Sequence, residues 1–164
     1  AALATALAPQ IGYAKAAEKP APFRSTSTTI GDACMFSHVM VGTNDIERSK
    51  RFYDAVLGVL GAGEPFRNLN ATGQARLFYR HDGGSFCVSE PINGESASFA
   101  NGGTIGFKCN SPAQVQEFHD VAVALGGTSI EQPPGLRESN LGRMYLAYVR
   151  DPDGNKLCAL HRPK

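Results

Sequence analysis

The chain contains the same unit twice, and this repeat is the strongest constraint on its fold. Residues 37–58 show a short strand pattern followed by a helix pattern, and residues 103–126 show the same succession. The helix motif Arg51-Phe52-Tyr53-Asp54 corresponds to Glu117-Phe118-His119-Asp120, a shift of 66 positions. Each unit then closes on a turn and a short apolar strand. Because two such units bury together a face that neither buries alone, we expect a ligand site at their junction, built from equivalent positions of both.

Hydrophobic periodicity predicts a strand, a helix and three further strands in each unit. Asn44 or Asp45 is the expected N-cap of the first helix and Ser111 that of the second, since these residue types favour the N-cap position. Residues 132–142 show no clear pattern, and we expect this long segment to be a loop that forms a lid or a cavity rim. The predicted fold class is α+β, with two repeated β-α-β-β-β modules, at residues 35–94 and 102–164, around an open cleft.

Composition excludes several classes of function. Apolar residues make up 42% of the chain and charged residues 19%, which is typical of a globular domain. The net charge of +1 provides no field that favours nucleic acid or an acidic membrane, and no apolar run has the length of a membrane span. We therefore expect neither of these partners. The four cysteines form no Cys-x-x-Cys pair, so we expect reduced, mostly buried thiols in a cytoplasmic protein.

Residues 1–34 differ in character from the rest of the chain, and we expect them to form a poorly ordered N-terminal extension. They are rich in Ala, Pro, Ser and Thr, and Pro20 and Pro22 stop any helix there. The runs at 3–18 and 28–33 resemble the C-terminal segment of class II fumarases. In that family the segment follows the catalytic regions, so the resemblance implies no fumarase activity. The extension is either a fusion or gene-boundary remnant or an alanine-rich tail that matches by chance.

Two motifs of the repeated units resemble a known superfamily. The first is the strand at 37–41 with the helix motif at 51–58, and the second is the segment at 148–157, which includes Asp-Pro-Asp-Gly. Together they are similar to the glyoxalase I, bleomycin-resistance and extradiol-dioxygenase (vicinal oxygen chelate) superfamily, over residues 35–163. The resemblance implies two modules whose strands curve into a cleft. In metal-dependent members, four cleft-facing positions, two from each module, hold a divalent metal that binds vicinal oxygens of the substrate.

Residue by residue, the resemblance implies an incomplete set of metal ligands. The first-strand positions fall on His38, a good ligand, and Thr104, a poor one. The last-strand positions, usually carboxylates, fall on Cys87 and Cys158. Whether the protein binds a metal cofactor is therefore left open. A Cys2His site with His38 as a metal ligand is one alternative, and two thiols that fill the cleft floor beside a catalytic or merely cleft-lining histidine are the other.

Cys87, Thr104 and Cys158 are also expected to bind the substrate in the cleft, and further residues join them. Met40 shares a strand face with the first-strand histidine. Tyr145 and Tyr148 lie on opposite faces of one strand, so at most one faces the cleft, and we assign that role to Tyr145. Arg143 flanks the predicted loop and is suited to an anionic group of the substrate. The turn at 151–155 is assigned a structural role, since each of its residue types fits a tight turn.

Three functions are compatible with these residues. The first is a lyase or isomerase that acts on a small oxygenated substrate. The second is a non-catalytic protein that sequesters a small aromatic or antibiotic molecule, and the third is a dimer module without a ligand. We expect a small-molecule ligand and a homodimer. Glyoxalase I activity itself is not expected, because the carboxylates that this chemistry requires are missing.

Overall fold

Each of the two repeated units forms a four-stranded mixed sheet with one helix against it. The computed structural model describes residues 36–140 and 142–163, so the predicted extension at 1–34 lies outside the described residues. The elements in chain order are β1 (Val39–Gly42), α1 (Ile46–Gly58), β2 (Phe66–Leu69), β3 (Ala75–His81), β4 (Gly84–Ser89), β5 (Ile105–Lys108), α2 (Pro112–Ala124), β6 (Thr128–Ser139), β7 (Gly142–Arg150) and β8 (Lys156–His161). This succession confirms the predicted fold class, two β-α-β-β-β modules.

The strand order within each sheet is the same in both modules. Sheet A has the order β1-β4-β3-β2 and sheet B the order β5-β8-β7-β6. The first strand of each module runs parallel to the last one, which requires the helical crossover between them. This pairing places Met40 opposite Cys87 in sheet A and Gly106 opposite Cys158 in sheet B. Cys87 and Cys158 therefore occupy the same position in the last strand of their respective modules.

Both helices begin where the sequence predicts. The Asp45 carboxylate accepts a hydrogen bond from the Arg48 N–H, and the Ser111 hydroxyl accepts one from the Gln114 N–H. These bonds satisfy N–H groups that the first turn of a helix leaves without a partner. Within the described residues, neither helix has the length and hydropathy that crossing a membrane requires.

The two modules share a single hydrophobic core between their helix-side faces. Tyr53 of α1 and Phe118 of α2 are both buried in it. A chain of ring contacts links the sheets and helices, with centroid distances of 5.4 Å from Phe86 to Phe107 and 5.6 Å from Phe107 to Phe118. The helix-covered faces of the two sheets therefore face a common interior, and the opposite face of each sheet lies away from it.

The turn between β7 and β8 fastens the second module to the first. The carboxylate of Asp153 accepts hydrogen bonds from the Thr43 hydroxyl at 2.8 Å, the Asn44 N–H at 3.0 Å and the Arg48 guanidinium at 2.7 Å. Asp151 accepts a further bond from the Tyr53 hydroxyl at 2.5 Å. The turn has the structural role that the sequence predicts, and it also joins the modules.

The segment predicted to be a loop lid is instead part of a strand. β6 extends through it to Ser139 and pairs with β7, with an irregularity between Ile130 and Gly135. Pro133 and Pro134 lie within this irregularity, where the ladder needs no N–H from them. β6 is also the edge strand of sheet B, which tolerates prolines. The lid prediction was therefore wrong.

Three of the four cysteines lie in the described residues, and all three are free and buried, as the sequence predicts. Burial raises the pKa of the Cys109 thiol to about 11. A thiol with so high a pKa is almost entirely protonated near neutral pH, so it is a poor nucleophile. Cys34 lies outside the described residues.

Candidate functional site

Cys87 and its neighbours form the face of sheet A that the helix does not cover. Phe86 and Val88 point into the shared core, so the Cys87 side chain points to the opposite face. Strand register places Met40 and Phe78 directly beside Cys87. We call this surface the Cys87 face and define it by Met40, Phe66, Arg76, Phe78, Arg80 and Cys87.

Two arginines lie on either side of Phe78 along β3 on the Cys87 face. The guanidinium carbon of Arg76 lies 5.7 Å from the centroid of the Phe78 ring, and its Nε donates to the Asn68 side chain at 3.2 Å. Burial raises the pKa of the Cys87 thiol, and the positive charges of Arg80 and Arg76 oppose this rise. Both guanidinium groups are therefore close enough to stabilise an anion on this face.

The corresponding face of sheet B has a separate apolar cluster. We call it the Cys158 face and define it by Met144, Leu146, Tyr148, Cys158 and Leu160, and none of these residues belongs to the first module. The Lys156 ammonium lies 4.7 Å from the Tyr148 ring centroid and pairs with Glu131. Burial raises the pKa of the Cys158 thiol, although the hydrogen bond from the Tyr148 hydroxyl opposes this.

The structure places the tyrosines of β7 differently from the prediction. Tyr145 packs against the shared core on the helix side of sheet B, whereas Tyr148 lies opposite Cys158 on the uncovered face. This corrects the assignment of Tyr145 to the cleft. The sequence pattern identified the alternation but not which of the two faces is the covered one.

Arg143 and Thr104 are both exposed. Arg143 lies near the tip of the β6–β7 hairpin, where its Nε pairs with Glu138 at 3.1 Å. Thr104 directly precedes β5. Their roles in binding a substrate stay predictions.

His38 is exposed just before β1, and its Nδ1 lies 3.0 Å from the Ser37 hydroxyl. In the described part of the chain, no three His, Cys, Asp or Glu side chains are grouped so that they could hold a metal ion. His38, Cys87 and Cys158 therefore do not form a Cys2His site within one chain. The residues at the four family positions thus do not fit a divalent metal bound by a single copy.

Arg76 and Phe78 were missed at the sequence level. The alternation of side chains along β3 already places Arg76, Phe78 and Arg80 on one face of the strand, and Phe78 is the residue that pairs with Cys87. The pattern alone did not give the register between β3 and β4, so these residues could not be placed beside the thiol.

The geometry of the two modules agrees with comparisons against known proteins. Residues 35–159 match the family described as Glyoxalase/Bleomycin resistance protein/Dioxygenase superfamily. The chain belongs to this superfamily. The match starts at residue 35, so the fumarase resemblance of the extension stays a prediction.

Solved structures of superfamily proteins share this fold. A glyoxalase/bleomycin resistance protein from Albidiferax ferrireducens T118 is 54% identical, with a TM-score of 0.71 over 79% of this chain and 100% of that chain. A glyoxalase-related enzyme from Fulvimarina pelagi is 21% identical, with a TM-score of 0.60 over 79% of this chain and 88% of that chain. The second likeness concerns the fold alone. A search of curated proteins gives no significant match.

Proposed function

We propose that this superfamily member binds a small aromatic anion on the Cys87 face and holds it without chemical conversion. The observation that supports the proposal is the arrangement of Arg76 and Arg80 on either side of Phe78, next to the buried Cys87 thiol. The aromatic body of the ligand packs on the half-buried ring of Phe78 and on the exposed Met40, and its carboxylate pairs with a guanidinium group. Ligand sites commonly combine such apolar area with a few polar groups.

The side chains at the family's ligand positions favour binding over a lyase or isomerase reaction. Proton transfer next to a carbonyl requires a general base in the site. The two positions that usually supply carboxylates are Cys87 and Cys158, and burial raises the pKa of both thiols. His38 is exposed beside Ser37, outside any grouping of metal-binding side chains in the described residues.

We further propose a homodimer in which the Cys158 face of one copy lies opposite the Cys87 face of the other, so that the ligand site is between the two copies. Phe66 supports this, because it is 62% exposed on the Cys87 face and is a large apolar side chain. Phe66→Glu should then produce monomers in sedimentation velocity. Leu69→Glu is the matched control, because Leu69 lies on the same strand, is 63% exposed and points to the other face. Monomeric wild-type protein at micromolar concentrations would contradict the dimer.

Calorimetric titration with 2-naphthoate tests the ligand class. The double variant Arg76→Gln/Arg80→Gln should bind at least tenfold more weakly than the wild type, because each charge-assisted hydrogen bond contributes roughly 1.5–3 kcal/mol. Arg67→Gln is the control, since Arg67 lies on the opposite face of β2 and pairs with Glu47. Equal affinity of the double variant and the wild type would refute the proposed site.

A further inference from the structure

A cavity lies on the helix-covered side of sheet A, between the two modules. Its volume is about 340 Å³, which is within the range of small-molecule sites. Its apolar walls come from both modules, and they include Val39, Leu57, Leu60, Phe86, Ile105 and Phe107. Val39 and Phe86 lie on the face of sheet A opposite to Cys87, so this cavity is separate from the Cys87 face.

The free edge of β5 borders this cavity. β5 is the other edge strand of sheet B, and no strand of the described residues pairs with its second edge. The Cys109 N–H donates to the Leu160 carbonyl, so Cys109 directs its backbone groups toward β8. Alternate residues of a strand direct these groups to opposite edges, and Gly106 and Lys108 therefore direct theirs to the free edge. Both residues line the cavity.

The charged groups of the lining have opposite signs. The lining includes Lys108 and Asp82, one residue of each sign, and His81 lies beside Asp82. This lining favours an uncharged occupant over an anion. The free edge offers the Gly106 carbonyl as an acceptor, and the N–H of a secondary amide is a complementary donor, while the amide carbonyl points the opposite way.

We propose that this cavity binds a small, uncharged, apolar molecule with a secondary amide, whose N–H donates to the Gly106 carbonyl at the free edge of β5. The apolar body of the molecule fills the space between Leu60, Phe86 and Ile105. Such a ligand contacts both modules, so its binding stabilises their packing.

Methyl NMR with N-benzylacetamide tests the site directly. The δ1 methyl signal of Ile105 should shift with saturation, and the methyl signal of Met40, on the Cys87 face, should not move. Benzyl acetate lacks the N–H donor and should bind roughly three- to tenfold more weakly. Equal affinity of the amide and the ester would overturn the pairing with the strand edge. A shift at Met40 without one at Ile105, or no shift at either, would overturn the site.

A cavity-filling variant provides the second measurement. Leu60→Trp fills the space and should abolish the Ile105 shift, whereas Ile92→Trp, at a residue that is 75% exposed, should leave it unchanged. Undiminished binding to a folded Leu60→Trp protein would contradict the proposal. The amide–ester comparison uses the wild type, so it decides the question if that variant does not fold. Binding of 2-naphthoate is tested at Arg76, Arg80 and Met40, which lie outside this cavity, so either proposal can fail without the other.

Discussion

Asp153→Asn measures how strongly the turn between β7 and β8 fastens the two modules together. The Asp153 side chain is 3% exposed and accepts bonds from Thr43, Asn44 and Arg48. Asparagine is nearly isosteric, but it removes the charge and turns an NH2 group toward these donors. Hydrogen bonds to a charged group contribute about 1.5–3 kcal/mol each, and unpaired buried donors add to the loss. Because the Arg48 side chain is 37% exposed, water replaces part of its lost interaction in the variant. We therefore expect the free energy of unfolding to fall by about 2–3 kcal/mol.

Urea unfolding followed by circular dichroism provides the assay, because the chain contains no tryptophan. Glu47→Gln is the control. In the wild type Glu47 pairs with Arg67 and both side chains are solvent-exposed, so loss of this pair should lower the free energy of unfolding by less than about 1 kcal/mol. The midpoint of Asp153→Asn should fall well below that of the control at an unchanged slope. Equal midpoints for the two variants would refute the view that this turn holds the modules together.

The pH dependence of stability gives an independent test of the same carboxylate. Burial alone would raise the pKa of Asp153, but hydrogen bonds from Asn44, Thr43 and Arg48 outweigh burial, and the pKa lies below its ordinary value. The resulting stabilisation is fully present above the unfolded-state pKa of about 3.9 and is lost as the pH falls through the lower folded-state pKa. Below about pH 4 the wild type should therefore lose stability more steeply than Asp153→Asn. Parallel curves would contradict this assignment.

Three further outcomes follow from the fold and the sequence. Tyr53→Phe removes the donor to buried Asp151 and should cost about 1–3 kcal/mol in the same urea assay; a neutral effect would mean that the bond contributes nothing. Deletion of residues 1–30 should leave the melting temperature nearly unchanged, and a fall of several degrees would show that they pack on the domain. With hemithioacetal substrates and added nickel, zinc or cobalt, the protein should show no glyoxalase I turnover, and turnover that a chelator abolishes would contradict the account.

The module fold could be predicted because its determinants are local. Asp45 and Ser111 mark the helix starts, and the alternation of side chains marks each strand. β6 could not be predicted past Glu131, because Pro133, Pro134 and Gly135 are locally typical of a loop. It is the pairing with β7, a contact between different segments, that holds this stretch extended.

The candidate site was predictable only in part. The alternation of β4 correctly separates Cys87 from the core-facing Phe86 and Val88. How the modules pack is a property of the assembled core, and the Phe86–Phe107 contact that joins their helix sides has no signature in the sequence. For this reason, the sequence did not show that Cys87 and Cys158 belong to separate clusters within one chain.

The most direct test of the proposed function is methyl NMR of methionine-labelled protein during titration with 2-naphthoate. The chain has three methionines, and two of them are in the described residues: Met40 on the Cys87 face and Met144 on the Cys158 face. We expect a saturable shift of the Met40 signal in the wild type and no shift in Arg76→Gln/Arg80→Gln. A Met40 signal that does not move at saturating 2-naphthoate, or one that moves equally in the double variant, would contradict it.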